Sequence, residues 1–394
     1  MKSIFNKFVL FILFLLICRC NSSTNTNVSY VNTSDDGETK FDLTEALESK
    51  SVLYLDDLID SIQIIPLETI SQSLLSVPIW SIHVSSDNIF VQDPSNIIIF
   101  NHTGQFIKTL EKGSGPNEIG YPRVMFYNEK NNYLYVYDAV GEKIMKYSSN
   151  GVFLSYNSID QHIAIRDFAV ADSRMLLAQH EFSNNFALSI GDTLGTIDNL
   201  YVFGVDIYPF LFRKYIMPYE GGFNIKKLLD NKIYYCKDSI PYVKYILKYP
   251  MVDIDYSLYS KMSEMEDALP DGKYIFTGDY LETHDYLFTI FRSGGIYIKT
   301  LFTNKTSGNS VCFEGKPHSV INFVSIESTL TNGNNWFVGV IYPEHFASKD
   351  ISEKYRWDGS NPNYLISDKD MEKLRAIDPD DNPIIVLFKL KDNI

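Results

Sequence analysis

The apolar positions of this chain fall in short runs that alternate with polar ones, and the runs themselves recur. Asn88-Ile89-Phe90-Val91-Gln92-Asp93 is echoed 45 residues later (88 to 133) by Tyr133-Leu134-Tyr135-Val136-Tyr137-Asp138, with the closing Asp kept. Each copy is followed by a second apolar run, a polar turn with glycine, and a third run. In the first copy these are Ile97 to Phe100, Gly104 and Phe106-Ile107; in the second they are Ile144 to Tyr147, Gly151 and Phe153-Leu154. A blurred third copy runs through Met175 to Gln179, Leu188 to Ile190 and Gly195. Alternation at every second residue marks strands with one face buried, whereas a helical repeat would space apolar residues at about 3.6. The turns His102-Thr103-Gly104-Gln105 and Ser149-Asn150-Gly151-Val152 have hairpin chemistry, because glycine takes positive φ without steric cost. A period near 45 residues with about four short strands per unit predicts propeller blades.

Later units are degenerate but follow the same plan. Asp230-Asn231-Lys232-Ile233-Tyr234-Tyr235 leads into a run from Tyr242 to Tyr249. A fifth unit spans Tyr286 to Phe291 and Gly295 to Phe302. A sixth starts at Trp336 to Ile341 and is interrupted by an insertion from about Ser348 to Ile377, helix-like over Ser367 to Ala376. The last strand is Pro383 to Leu390. Ser61 to Leu67 is a strand with no blade of its own. It is expected to share a blade with the terminal strand, as neighbour or not, because a propeller must hold its ends together and expose few strand edges. The fold expected is all-β, a six-bladed β-propeller with a short helical insertion near the C-terminus.

The N-terminus follows different rules. Lys2 and Lys7 flank a short basic region, and an apolar run from Phe8 to Ile17 follows it. About ten apolar residues are too few to span a bilayer, which takes roughly 20, but they suit the core of a signal peptide. The run ends in Ile17-Cys18-Arg19-Cys20-Asn21-Ser22-Ser23, and a polar Ser/Thr/Asn tract follows. A Cys in that setting is similar to a bacterial lipoprotein processing site, with Cys20 the better fit for lipidation and Cys18 the alternative. Arg19 and Ile17 depart from the small residue usual before such a cysteine, and a plain secretory signal is the competing reading. The expected organisation is a lipoprotein signal peptide over 1–20, a flexible tether over 21–42 and the propeller over 43–394. The expected location is the cell envelope, lipid-anchored to the outer membrane.

Composition narrows the function. The 394 residues are 45% hydrophobic, and 27 Tyr and 26 Phe enrich the chain in side chains suited to pleated, half-buried surfaces. A net charge of −14 without a basic stripe argues against nucleic acid as a partner. Beyond the tether only Cys236 and Cys312 remain. Both sit in strand-like runs and are expected as buried thiols, with a disulfide as the alternative.

Four stretches carry a family resemblance: Leu58 to Thr69, the loop Gly113-Ser114-Gly115-Pro116-Asn117-Glu118, the hairpin Asn150-Gly151-Val152-Phe153, and the tail Asp381 to Leu387. They resemble the lipoproteins of Gram-negative bacteria built as six-bladed β-propellers, related in shape to NHL-repeat and TolB-like propellers. The loop departs mildly, with Pro-Asn-Glu where that family often has Pro-Gly-Glu. The resemblance implies a fold and an envelope address, but it transfers no activity.

Motifs of chemistry are sparse. Gly113-Ser114-Gly115 is superficially similar to a phosphate loop, but no Gly-Lys-Ser/Thr or helix follows, so a blade-to-blade turn is expected. The histidines at 83, 102, 162, 180, 284, 318 and 345 show no metal-ligand spacing. Glu344-His345 is the most suggestive single spot, and loop is its default reading. Glu264-Met265-Glu266-Asp267 and Asp378-Pro379-Asp380-Asp381 lack the pattern of a calcium loop and are expected as solvated surface. No Gly-x-Ser-x-Gly elbow or Ser-x-x-Lys pair occurs. No catalytic, cofactor-binding or metal residue is therefore nominated, and no cofactor is implied. The expected role is binding or scaffolding of an envelope protein, peptide or glycan. The alternative is a metal-dependent lyase or hydrolase at the propeller funnel, which would need histidines and carboxylates to converge there.

Overall fold

The computed structural model describes residues 27–30, 39–49, 55–159, 164–171, 174–180, 185–192, 197–205, 215–226, 230–237, 240–252, 268–294, 297–314, 325–330, 335–343 and 367–392. Cys18, Cys20, Gly195, Glu344-His345 and the acidic run at 264–267 lie outside them. The N-terminal region supplies β1 (Asn27–Tyr30), β2 (Thr39–Asp42), the helix α1 (Thr44–Glu48), a 3₁₀ turn (Leu55–Asp57) and β3 (Ile59–Pro66). Blade 1 follows as β4 (Ser81–Val84), β5 (Asn88–Gln92), β6 (Ile97–Asn101) and β7 (Phe106–Thr109). Blade 2 is β8 (Pro122–Asn128), β9 (Tyr133–Asp138), β10 (Lys143–Ser148) and β11 (Phe153–Ser158). Blade 3 is β12 (Ala164–Ala171), β13 (Arg174–His180), β14 (Asn185–Asp192) and β15 (Ile197–Val205). Blade 4 is β16 (Ile216–Tyr219), β17 (Gly222–Lys226), β18 (Lys232–Cys236) and β19 (Tyr242–Lys248). Blade 5 is β20 (Tyr274–Glu282), β21 (Tyr286–Ser293), β22 (Tyr297–Asn304) and β23 (Ser310–Glu314). Blade 6 takes β24 (Ser325–Thr329), β25 (Trp336–Ile341) and β26 (Ile384–Leu390), and it receives β3 as its outermost strand. The protein is a six-bladed β-propeller.

Blades 1 and 2 show why the repeat forms. Asp93 and Asp138, the residues that close the repeated run, are both buried. Asp93 accepts from the backbone N–H of Asn96 (2.5 Å), Ser95 (2.6 Å) and, from the preceding linker, Ser76 (2.8 Å). Asp138 does the same for Tyr121 (2.8 Å), Gly120 (3.0 Å) and Val140 (3.2 Å). One short acceptor thus ends a strand, folds the next turn and ties down the link between blades. Gly104 and Gly151 occupy the hairpin positions with φ of 89° and 74°, as the turn chemistry requires. At Gly104 a Cβ would lie 2.1 Å from the Pro66 carbonyl oxygen, so the same glycine lets blade 1 approach β3.

The ring closes by strand sharing. β26 and β3 are immediate antiparallel neighbours, from Ile384 opposite Pro66 to Leu390 opposite Ile59. Their apolar side chains complete the cores on both sides of blade 6, with Ile64 and Val386 facing one and Ile65 and Ile385 the other.

Two described pieces of the region expected as a tether pair with the ring. β1 pairs in parallel with β15 at the outer edge of blade 3, and β2 pairs in parallel with β19 at the outer edge of blade 4. Next, α1 lies against blade 5, where the Tyr274 hydroxyl donates to the Leu47 carbonyl (2.9 Å), and the chain then enters blade 6 as β3. The described N-terminal elements thus form a belt, touching four consecutive blades in turn. An outer strand presents a row of unpaired backbone groups, and these accept any extended segment whatever its composition. In β2 only Phe41 is buried, packing edge-on against Tyr245 with ring centres 5.3 Å apart. A single apolar anchor is too little for a periodic signal.

The helix expected over Ser367 to Ala376 is α2 (Asp368–Arg375), capped by Ser367, whose hydroxyl accepts from the Asp370 N–H (3.1 Å). It rests on β3 through Lys373, which donates to the Ile64 carbonyl (3.4 Å). No helix among the described residues is long and apolar enough to cross a membrane.

Candidate ligand channel

The first strand of every blade lies innermost. β4, β8 and β12 are laced together across blades: His83 Nε2 lies 3.3 Å from the Met125 carbonyl, and the Asn128 amide donates to the Val170 carbonyl (2.8 Å). These inner strands enclose a channel of about 1120 Å³ to which all six blades contribute. Its wall is partly aromatic. Behind it the His83 ring meets the buried Phe126 edge-on at 5.9 Å, and Phe126 lies 6.3 Å from the buried Phe168, an arc of core rings that supports the wall across three blades. Trp80, Tyr219 and Trp336 add flat faces, with Trp80 braced edge-on by Tyr121 at 6.2 Å.

Between blades 4 and 5 the wall holds a buried carboxylate. Glu282, at the end of β20, has a side chain only 1% exposed. Its oxygens accept from the Asn224 amide (2.6 Å), Lys305 (2.7 Å), the Tyr245 hydroxyl (2.9 Å), Lys244 (3.1 Å) and the Tyr280 hydroxyl. Lys305 also donates to the Tyr219 hydroxyl (2.6 Å) and the Thr283 carbonyl (2.9 Å), and Lys244 sits 3.7 Å from the centre of the Tyr219 ring. Burial pushes the Glu282 carboxyl up, but Lys244, Lys305 and the hydrogen bonds together hold it below the usual carboxylate range. Burial pulls Lys244 down, and Glu282 works against that. The phenols of Tyr219, Tyr245 and Tyr280 are pushed up by burial and then by the Glu282 charge, so they stay neutral and can donate. A carboxylate offers about four lone-pair sites, and five donors occupy them. The cluster ties blade 4 to blade 5, and its two lysines hold Tyr219 at the channel.

Residues singled out in the sequence are dispersed. Of the histidines, His83 and His284 reach the channel, and His284 stands exposed against Asp285 at 2.7 Å. His102 sits in the outer hairpin of blade 1; His162, His318 and His345 lie outside the described residues. Among the described residues no three of His, Cys, Asp and Glu gather as a metal site. The Gly113 loop is the turn between blades 1 and 2: the Gly115 N–H donates to the Glu118 carboxylate (2.8 Å), and Lys143 donates to the Pro116 and Glu118 carbonyls (3.1 Å each). The run at 378–381 is a surface turn in which the Asp378 N–H donates to Asp381 (2.8 Å). Cys236 and Cys312 are buried thiols in blades 4 and 5 and are not joined, and burial pushes the Cys312 thiol up to about 11. The Glu282 cluster and the channel arginines Arg123 and Arg166 were not foreseen. The one signal available was a lysine at 244 inside the apolar run Tyr242-Val243-Lys244-Tyr245-Ile246, where alternation leaves it half-buried.

The architecture has solved counterparts. A protein of Bacteroides fragilis NCTC 9343 that is described as exported has the same fold, with a TM-score of 0.66 at 15% identity, covering 89% of this chain and 99% of that one. A member of the DUF4221 family from Bacteroides vulgatus aligns with a TM-score of 0.46 at 11% identity, covering 85% and 97%. No curated protein is significantly similar in sequence. The sequence itself matches one family from residue 38 to 389, beginning at β2 and ending in β26, so the chain belongs to the family described as Domain of unknown function (DUF4934).

Proposed function

We propose that this protein is an envelope lipoprotein that binds a glycan or peptide segment in its central channel. The observation that carries the reading is the channel itself: about 1120 Å³, walled by aromatic faces and polar groups from six blades and held rigid by the ring. Ligand sites are typically concave and largely pre-formed, with apolar walls and a few placed polar groups. The anchor rests on the short apolar core that ends at Cys18 and Cys20, and the envelope address follows from it.

Both parts are tested in one strain set. Cells fed a radiolabelled fatty acid should label the wild type and not the Cys18→Ser/Cys20→Ser double variant. The detergent-solubilised full chain should bind oligosaccharides or peptides with a change in tryptophan fluorescence, and Trp80→Ala with Tyr219→Ala should weaken binding about tenfold or more. Binding untouched by those changes would place the site elsewhere.

A further inference from the structure

The inner strands of blades 2 and 3 share an irregularity. In β8 the pairing with β9 slips between Pro122 and Val124, so Arg123 is an extra residue opposite no partner. In β12 the pairing with β13 slips between Ile165 and Asp167, leaving Arg166 in the same position. A β-bulge re-aims the side chain of its extra residue, and both of these side chains line the channel. Among the described residues neither guanidinium makes a hydrogen bond or an ion pair, and Arg166 Nε is buried without a partner. The acidic neighbour does not serve them: the Asp167 carboxylate accepts from the Tyr215 (2.6 Å), Ile216 (2.9 Å) and Phe168 (2.9 Å) N–H groups, joining blade 3 to blade 4. In blade 6 the bulged residue of β24 is Glu327, which does not line the channel. The next residue, Ser328, does line it and carries a buried hydroxyl without a partner among the described residues.

A buried donor left unsatisfied costs about 1–3 kcal/mol, so such groups call for a partner that the chain itself does not supply. Two arginines on bulges of neighbouring inner strands, both lining the channel, offer N–H donors of the kind that bind oxyanions. The net charge of −14 does not forbid an anion there, because exposed charges are screened beyond about 8 Å at physiological salt.

We propose that Arg123 and Arg166 form an oxyanion subsite of the channel, taking a carboxylate or sulfate carried by a saccharide, with the sugar rings laid against the half-buried aromatic faces of the channel, such as Trp80 and Tyr219. This rests on the reading of the channel as a ligand site.

The test titrates the full chain in detergent with three probes: a glucuronate-containing oligosaccharide, its neutral glucose counterpart, and inorganic sulfate. The acidic sugar should bind at least about tenfold more tightly than the neutral one, and Arg166→Gln or Arg123→Gln should remove that preference. Arg166→Lys, which keeps the charge and loses Nε, should restore only part of it. Unchanged melting of the ligand-free variants certifies their fold. Equal binding of both sugars, unaltered in the variants, would overturn the subsite and leave the channel reading standing. Sulfate binding that the variants abolish, with neither sugar bound, would support the subsite and overturn the saccharide. An acidic preference that survives both Arg→Gln changes would also overturn the subsite, and no binding of any probe would overturn it too, leaving the channel reading with a peptide as its ligand.

Discussion

Blades 1 and 2 meet across a largely apolar seam, whereas blades 4 and 5 meet across a charged one. At the first, Phe90 stacks on Tyr127 with ring centres 4.3 Å apart, and Ile97, Ile99, Met125, Leu134 and Val136 fill the space around them. At the second, Glu282 gathers two lysines, two tyrosines and an asparagine from three strands and one turn. Apolar contact is non-directional and scales with area, so many sequences of about the right volume produce the first seam. The second is conditional. Each charge would cost several kcal/mol alone and is tolerated only while its partners are in place. One ring therefore uses a forgiving joint where its repeats are regular and an exacting one where they have decayed.

Removing the keystone of the charged seam should have the largest effect. Glu282→Gln leaves Lys244 and Lys305 buried without their counter-charge and should lower unfolding stability by about 3–5 kcal/mol at neutral pH. The sign of its pH dependence follows from the depressed carboxyl. Its stabilisation is present above the ordinary value of 4.5 and is lost as pH falls through the lower folded value. Urea titrations at pH 7 and pH 4 should therefore show the gap between wild type and variant narrowing in acid. A gap that is small at pH 7, or that does not narrow, would show that the seam is held by packing. Phe90→Ala should cost somewhat less, about 3–4 kcal/mol by cavity formation, with the same loss at both pH values. A pH-dependent loss there would erase the contrast between the seams. The smallest effect belongs to the belt. Lys248 donates to Asp42 at 2.7 Å and holds its carboxyl at about 2, yet the two side chains are 71% and 53% exposed. Lys248→Met should change stability by less than about 1 kcal/mol, because exposed pairs contribute little and β2 is held by backbone pairing and Phe41. A larger loss in the same urea assay would mean that charge, too, fastens the belt.

Legibility followed the same division. The runs from Asn88 and Tyr133, their closing aspartates and the glycines at 104 and 151 were all readable, because each records a local demand of a strand end or a turn. Closure was readable as well, since a strand without a blade at one end and one at the other leave a ring few choices. The direct pairing of β3 with β26 was not, because alternation tells which face a residue takes and not which strand lies beside it. The belt escaped notice because edge pairing uses backbone groups that every residue carries. Lys244 registered only as an interruption, because its partners Asn224 and Glu282 are 20 and 38 positions away in the chain.

The sequence by itself determined the blade, its repetition and the number of blades, because period-two burial and glycine turns are local properties that each unit states for itself. Tertiary structure alone decided what lies at the centre of the ring. The bulges that turn Arg123 and Arg166 toward the channel, and the convergence of donors on Glu282, exist only once separate blades stand side by side. Hydrogen bonds and charges act over a few ångströms of space, and the distance along the chain has no bearing on them.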